Sequence, residues 1–574
     1  MKELLINFLI KELKLNLDFN SLLESPKQQL QGDIALPCFI FSKELRKNPI
    51  QIAEELKKKL SKKLPEFIEK IENSGPYLNF FYNPHFEIKE TFKSIESKKA
   101  FNIKSKKKPL KIVIEYPSPN TNKSLHLGHL RNILLGNSLS KILERSKNKV
   151  IRVNLNNDKG IAICKAMLAY QMFGRGKTPK TEKIKSDKFV ANYYVRFEIE
   201  NKKNPKLKLE EKAQEMLLSW ERGEKETIKL WEKLMSWVFE GYKETYSNFN
   251  VKHNKEYFES DIWNKGKEIV LKGLKENIKG FGKEEDGAVF CDLSDINLDK
   301  KYLLRKDGTT LYMTQDLYLA KQKQKDFNAD KYITITSNEQ DYHFQVLFEL
   351  LDRLKISSKE KNIHYSYGYI SLPSGKMKSR EGTVVDCDEL LNEVVKQAKE
   401  NLLSREISKN LSEKELKRRS VIIGHAAISF LILKFNPKSD FVFNPKESLS
   451  MRGETGPYVQ YTYARIKSIL RKSNIKATKP NYNLFTQEKE INLIKLLGRY
   501  NEMLIEAHKD LKPSTICNYL IKLCQEFNTF YSEVPILNAT NKEIVTNRLY
   551  LIETITKVIK DGLDLLGIQT LEEM

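Results

Sequence analysis

Residues 115–132 read Glu-Tyr-Pro-Ser-Pro-Asn-Thr-Asn-Lys-Ser-Leu-His-Leu-Gly-His-Leu-Arg-Asn, and the three residues before them, Ile112 to Ile114, are all apolar. That order predicts a buried strand, a turn marked by Pro117, Pro119 and Asn120, and a helix from about Leu127 through Leu143. A helix start above a strand end offers free backbone N–H groups and the positive end of the helix dipole, which suits a phosphate. His126 and His129 lie three apart on one side of that helix, and Gly128 between them leaves room for a flat base against backbone. Imidazole N–H groups placed there can stabilise an α-phosphate as it becomes five-coordinate. Such chemistry needs positioning and charge neutralisation more than covalent catalysis.

A second motif lies far downstream, Lys376-Met-Lys-Ser-Arg380, in a loop opened by Pro373 and Gly375 and followed by Gly382. Lys376 and Lys378 form a mobile cationic strap suited to a leaving pyrophosphate. Each motif alone has an ordinary explanation, a helix first turn or a solvated loop. Together they read as two halves of an ATP site.

Working outward, strands and helices alternate in the βαβ rhythm of a parallel sheet. Strands are expected at Ile112–Tyr116 and Val150–Leu155, and again at Ala288–Asp292, Leu311–Thr314, Tyr332–Thr336 and Tyr365–Ile370, the last leading into the second motif. Residues from about 165 to 260 are mostly helical and highly charged and read as an insertion. Residues 1–105 combine a helical Ile50–Leu64 with a strand-like Tyr77–Tyr82 and form a small α/β domain, closed by the lysine run Lys104–Lys108. After about 385 the pattern is helical: Leu390–Leu403, Glu413–Lys434, Tyr458–Arg471, Lys489–Asp510, Pro513–Tyr531 and Lys542–Leu566, the last four suggesting a terminal bundle.

A chain of 574 residues exceeds one core and suggests three or four domains. The net charge of +24 favours a polyanionic partner, nucleic acid before membrane, although lysine-rich solvent faces supply part of the surplus. Six scattered cysteines form no Cys-x-x-Cys pair and no cluster at zinc spacing, so they read as reduced, buried thiols of a cytoplasmic protein without structural zinc. No run approaches the roughly 18 apolar residues of a membrane span.

With both motifs in this order on a βαβ scaffold with a helical tail, the chain resembles a class I aminoacyl-tRNA synthetase. Leu304-Arg-Lys-Asp-Gly-Thr-Thr-Leu-Tyr-Met-Thr-Gln-Asp316 and Gly453-Glu-Thr-Gly-Pro-Tyr-Val-Gln-Tyr-Thr-Tyr-Ala-Arg465, with 115–132, narrow the resemblance to the arginyl-tRNA synthetase family. The resemblance implies an α/β fold: a Rossmann-type catalytic domain over 106–450 with the helical insertion and a mobile loop at 373–385, a tRNA-binding domain over 1–105, and an α-helical anticodon-binding domain over 451–574. It also implies the activity. The arginine carboxylate attacks the α-phosphate of ATP, accompanied by Mg²⁺, and a terminal ribose hydroxyl of arginine tRNA then takes the arginyl group. The family habit is a monomer that needs tRNA bound before it activates the amino acid.

By position, His126, Gly128 and His129 match the family's ATP signature, and Lys376, Met377 and Lys378 its mobile loop. Glu115, Tyr312 and Asp316 match the guanidinium ligands, as a fixed fork of five donors requires. Asn120 and Gln340 match the residues that hold the ammonium end of L-arginine. For tRNA, Tyr77 and Asn79 are expected at the elbow, and Tyr458, Gln460, Tyr461 and Arg465 at unstacked anticodon bases. Three departures stand out. Ser379 replaces the loop's second lysine, which shifts phosphate neutralisation onto Lys123 with Lys376. Ser337-Asn-Glu-Gln340 replaces Gly-Ala-Asp-Gln, and Asn156-Asn-Asp-Lys-Gly160 keeps only Asp158 and Gly160 of a Gly-Asp-Trp-Gly pattern.

Overall fold

The computed structural model describes residues 1–15, 17–24, 26, 32–104, 108–371, 373, 385–404, 411–539 and 541–574. The second motif, with Lys376, Met377 and Lys378, lies outside the described residues. The chain divides into two compact units: Met1–Asn102 with Arg465–Leu504 and Lys522–Ile559, and Ile103–Ala464 with Ile505–Ile521 and Lys560–Met574.

The larger unit is built on a five-stranded sheet, in the spatial order Asn362–Tyr367, Lys331–Ser337, Lys111–Glu115, Lys149–Asn156, Lys255–Phe258, and every pairing is parallel. Ile112, Val113 and Ile114 are all buried, as a central parallel strand covered on both faces requires. The chain leaves Lys111–Glu115 toward one edge and returns beyond it to build the other, so the strand order reverses between Lys111–Glu115 and Lys331–Ser337. A crevice opens at that reversal, at the carboxyl ends of the strands, where doubly wound sheets hold their ligands. Glu115 ends one flanking strand, and the short turn Asn338–Gln340 follows the other.

Two expected sheet strands are corrected. Val289–Cys291 belongs to a separate antiparallel sheet with Phe281–Lys283 and Lys301–Leu304. Leu311–Thr314 is no strand: Leu311 is the extended cap of a helix, Tyr312–Phe327. Met313, Leu317 and Ala320 recur at helical spacing against the buried cluster there, and that periodicity outweighs the local β propensity. The charged stretch at 165–260 holds the helices Ser186–Lys203, Leu209–Glu221 and Lys225–Asn248, and near its end Lys255–Phe258 supplies the sheet's edge strand.

In the smaller unit a three-stranded antiparallel sheet, in the order Ile34–Pro37, Tyr77–Tyr82, Ile68–Ser74, packs with the helices Lys2–Leu13 and Pro49–Leu60 around Leu5, Leu36, Leu78 and Phe80. The helix Pro84–Glu96 meets the later helices, with Phe92 stacked on Tyr482 and Phe485. The expected helix Lys489–Asp510 is two, Glu488–Gly498 and Tyr500–Asp510. Gly498 allows the close approach, since a Cβ there would lie 2.8 Å from Thr91 Oγ1.

Candidate active site

The helix Leu127–Glu144 begins where the sequence predicts, and its first turn is capped by its own histidines. The Gly128 N–H donates to His126 Nδ1 at 3.1 Å, and the His126 N–H donates to His129 Nδ1 at 3.2 Å. The two rings lie 3.8 Å apart, centroid to centroid. With both Nδ1 atoms accepting, each neutral ring carries its proton on Nε2 as a donor. Burial, and then the nearby Lys123 ammonium, pushes His126 down to about 4. Burial, His126 and Lys123 hold His129 well below its ordinary range. Gly128 has a packing duty of its own, because a Cβ there would sit 3.0 Å from His126 Cε1.

The flanks of the undescribed second motif are tied to this same helix. After it, the Leu127 N–H donates to Val385 O at 3.2 Å and the Cys387 N–H donates to Leu125 O at 2.8 Å. Before it, Ile370–Ser371 pairs with Phe441–Val442, and the fully buried Arg131 donates to Gly368 O at 2.6 Å, Pro437 O at 2.9 Å and Ser439 O at 2.9 Å. Burial lowers that guanidinium to about 10.

The helix Lys225–Asn248 braces both sides. Its buried Tyr242 shares its hydroxyl between Lys123 O at 2.6 Å and Asn120 O at 3.1 Å, which fixes the turn before the histidines. One turn further along, Thr245 Oγ1 donates to Asp388 Oδ2 at 2.8 Å, and Lys185 Nζ reaches the same oxygen at 2.6 Å. Asp388 lies in the first turn of the helix that follows Val385.

At the strand-order reversal a cavity of about 250 Å³ is lined by Glu115, Tyr312, Asp316, Lys323, Gln340 and His343, among others. Tyr312, Asp316 and Lys323, spaced four and seven apart, share one face of their helix. Glu115 is buried; its Oε2 pairs with Lys323 Nζ at 2.5 Å and its Oε1 accepts from the Ser118 hydroxyl at 3.0 Å. Asp316 Oδ2 lies 2.7 Å from His343 Nε2. Burial raises the Asp316 carboxyl, an effect His343 opposes. Asp316, with burial second, raises the Tyr312 hydroxyl.

The structure therefore gathers Glu115, Tyr312, Asp316 and Gln340 around one cavity, and sets His126, His129 and Lys123 together at the helix start. Asn120 is exposed and does not line the cavity; Asn157, bridged to it, does. Lys323, His343 and Asn157 are missing from the sequence expectations, although Lys323 carried a signal in its helical spacing from Tyr312 and Asp316. Asp158 accepts from the Ser260 N–H and hydroxyl, both at 2.8 Å, and burial lifts it to about 6. Gly160 needs its freedom, with φ at 123°.

Two expected tRNA contacts are corrected. Gln460 is fully buried and donates to Gln569 O at 2.6 Å, and Asn79 is buried in its strand. Both patterns gave polar residues to interior hydrogen bonding or packing that a linear sequence does not separate from a surface. Tyr77 is half-buried, edge-on to the exposed Phe39. Tyr458 and Tyr461 are half-buried, and Arg465 donates to Asn528 Oδ1 at 2.7 Å with Tyr531 beside it. All six cysteines are buried, and among the described residues no group of three or more His, Cys, Asp or Glu side chains could hold a metal ion. No described helix is long and apolar enough to cross a membrane.

Three family models match: the catalytic domain of class I (R) tRNA synthetases over 91–445, the DALR anticodon binding domain over 459–574, and the arginyl-tRNA synthetase N-terminal domain over 2–82. The chain is 42% identical to an arginine–tRNA ligase of Treponema denticola, covering 96% of this chain and 94% of that one. It is 40% identical to that of Parabacteroides distasonis, covering 96% and 95%. The arginyl-tRNA synthetase structure of Thermus thermophilus superposes over 100% of both chains with a TM-score of 0.84 at 26% identity. A cavity built on two carboxylates and a helix start capped by a histidine pair, on a sheet of this order, fit those likenesses, and the chain belongs to the arginyl-tRNA synthetase family of class I aminoacyl-tRNA synthetases.

Proposed function

We propose that this chain attaches L-arginine to its tRNA in two ATP-driven steps. The arginine carboxylate attacks the α-phosphate of ATP, forming arginyl-adenylate and releasing pyrophosphate. A terminal ribose hydroxyl then attacks the arginyl carbonyl and releases AMP. The observation that carries the proposal is the cavity at the strand-order reversal, where Glu115 and Asp316 face a space of about 250 Å³.

Within it Glu115, Tyr312 and Asp316 hold the guanidinium and Gln340 holds the ammonium end, with Asn120 outside the cavity on the adjoining turn. His126 and His129 donate through Nε2 to the α-phosphate, Gly128 makes room for them, and Lys123 adds positive charge. Lys376, Met377 and Lys378 take the pyrophosphate side on the strength of the sequence motif. Mg²⁺ accompanies the nucleotide's phosphates. Tyr77, Tyr458, Tyr461 and Arg465 are the tRNA contacts that the side-chain positions support. A net charge of +24 supports a long phosphate footprint. The working state is a cytoplasmic monomer.

The test is charging of total tRNA with each amino acid in turn. Arginine alone should be attached, ATP-dependently, and His129→Ala should slow it roughly 10²- to 10³-fold. Charging with a different amino acid would overturn the substrate assignment.

A further inference from the structure

We propose that Lys323 determines specificity: by occupying Glu115 with its own ammonium, it keeps free lysine and other compact ammonium ions out of the arginine cavity. This rests on the cavity being the arginine site. Glu115 and Lys323 are 6% and 8% exposed and their charged groups are 2.5 Å apart. A carboxylate that deep needs a counter-charge when the cavity is empty, and Lys323 supplies it from the same helix face that carries Tyr312 and Asp316.

The consequence for recognition follows from donor geometry. A guanidinium is planar, has five donors and can engage Asp316, the Tyr312 hydroxyl and the edge of Glu115 at once. An ammonium is a compact point charge whose three donors radiate from a single atom, without the planar fork that meets several acceptors at fixed spacing. Glu115 is the carboxylate it would satisfy best, and that place is taken by an identical group on an identical stem. Remove Lys323 and the cavity presents a buried, uncompensated carboxylate for which free lysine is the natural replacement. Discrimination against a competitor then rests on a site already filled, in addition to contacts made to the correct substrate.

The experiment is arginine-dependent ATP–pyrophosphate exchange with tRNA present and free lysine as competitor. In Lys323→Met the ratio of the lysine inhibition constant to the arginine KM should fall roughly tenfold or more. Lys323→Arg should keep the wild-type ratio, because the charge at Glu115 is retained. Adding Glu115→Gln to Lys323→Met should remove the gain in lysine binding, because no charge is left to satisfy. Lys323→Gln, which can still hydrogen-bond to Glu115, is the second variant should Lys323→Met not fold, with the same fall expected. A ratio within about twofold of wild type in the neutral variants, or an equal fall in Lys323→Arg, overturns the proposal. Asp316→Asn in the same assay separates the two levels. If it leaves the arginine KM unchanged, the cavity is not the arginine site. If it raises that KM while the neutral Lys323 variants keep the wild-type ratio, only the role of Lys323 falls.

Discussion

The two halves of the site are built from different materials. The half proposed for the nucleotide consists of backbone and neutral rings: His126 and His129 cap a helix and are held uncharged by burial, with Lys123 nearby. The half proposed for arginine holds side-chain carboxylates with partners: Glu115 pairs with the Lys323 ammonium, and Asp316 is hydrogen-bonded to His343. The difference follows the charge of what each would bind. A triphosphate carries its own anions and counter-ion, so oriented donors suffice. A cationic side chain needs resident anions, and buried anions need partners while they wait.

That contrast breaks most visibly at His129. His129→Ala should lower the rate of adenylate formation roughly 10²- to 10³-fold while leaving the arginine KM little changed, read by pyrophosphate exchange with tRNA present. Asp316→Asn should do the reverse, raising the arginine KM by about 10²-fold with a smaller effect on kcat. Should both variants alter the same constant, the two halves are not separable. Lys123→Ala is expected to slow adenylate formation about tenfold, through the lost positive charge at the phosphates. A wild-type rate there would remove Lys123 from the mechanism. Tyr242→Phe touches neither substrate but leaves the Lys123 and Asn120 carbonyls without their shared donor. A several-fold fall in kcat at constant arginine KM is expected, and a change confined to thermal stability would make Tyr242 purely structural.

The smallest expected effect is on stability against pH. His126 sits at about 4 in the folded chain, below its ordinary 6.5, so its contribution is complete above pH 6.5 and fades as pH falls toward 4, where the unfolded chain takes up a proton the folded one refuses. Asp158, raised to about 6, works the other way over part of that range, because the folded chain binds its proton first. Comparison with His126→Asn isolates the histidine. The gap between the two unfolding midpoints should narrow from pH 7 to pH 5, and a constant gap would contradict the neutral, capped state.

Legibility followed range along the chain. The strand–turn–helix at 112–143, the parallel α/β architecture and the long C-terminal helices could be read because apolar runs and 3.6-residue periodicity are local signals. Leu311–Thr314 misled because a short run of mostly apolar residues with the β-prone Tyr312 and Thr314 resembles a strand until the spacing of Met313 and Leu317 is followed onward. The close approach at Gly498 was hidden because Thr91, which meets it, lies in another segment. Gln460 was misplaced for a similar reason, since its partner Gln569 comes from the far end of the chain.

The sequence by itself determined where the strand, turn and helix with its two histidines fall, which acids and tyrosine are the candidates for a guanidinium, and which family the chain belongs to. Only the tertiary structure decided how those groups are held. Lys323 meets Glu115 across 208 residues, Tyr242 reaches Lys123 across 119, and Arg131 gathers carbonyls from two distant turns. These contacts exist because the order of strands in the sheet brings their segments together, and that order is set by how the whole core packs, not by the residues beside each one.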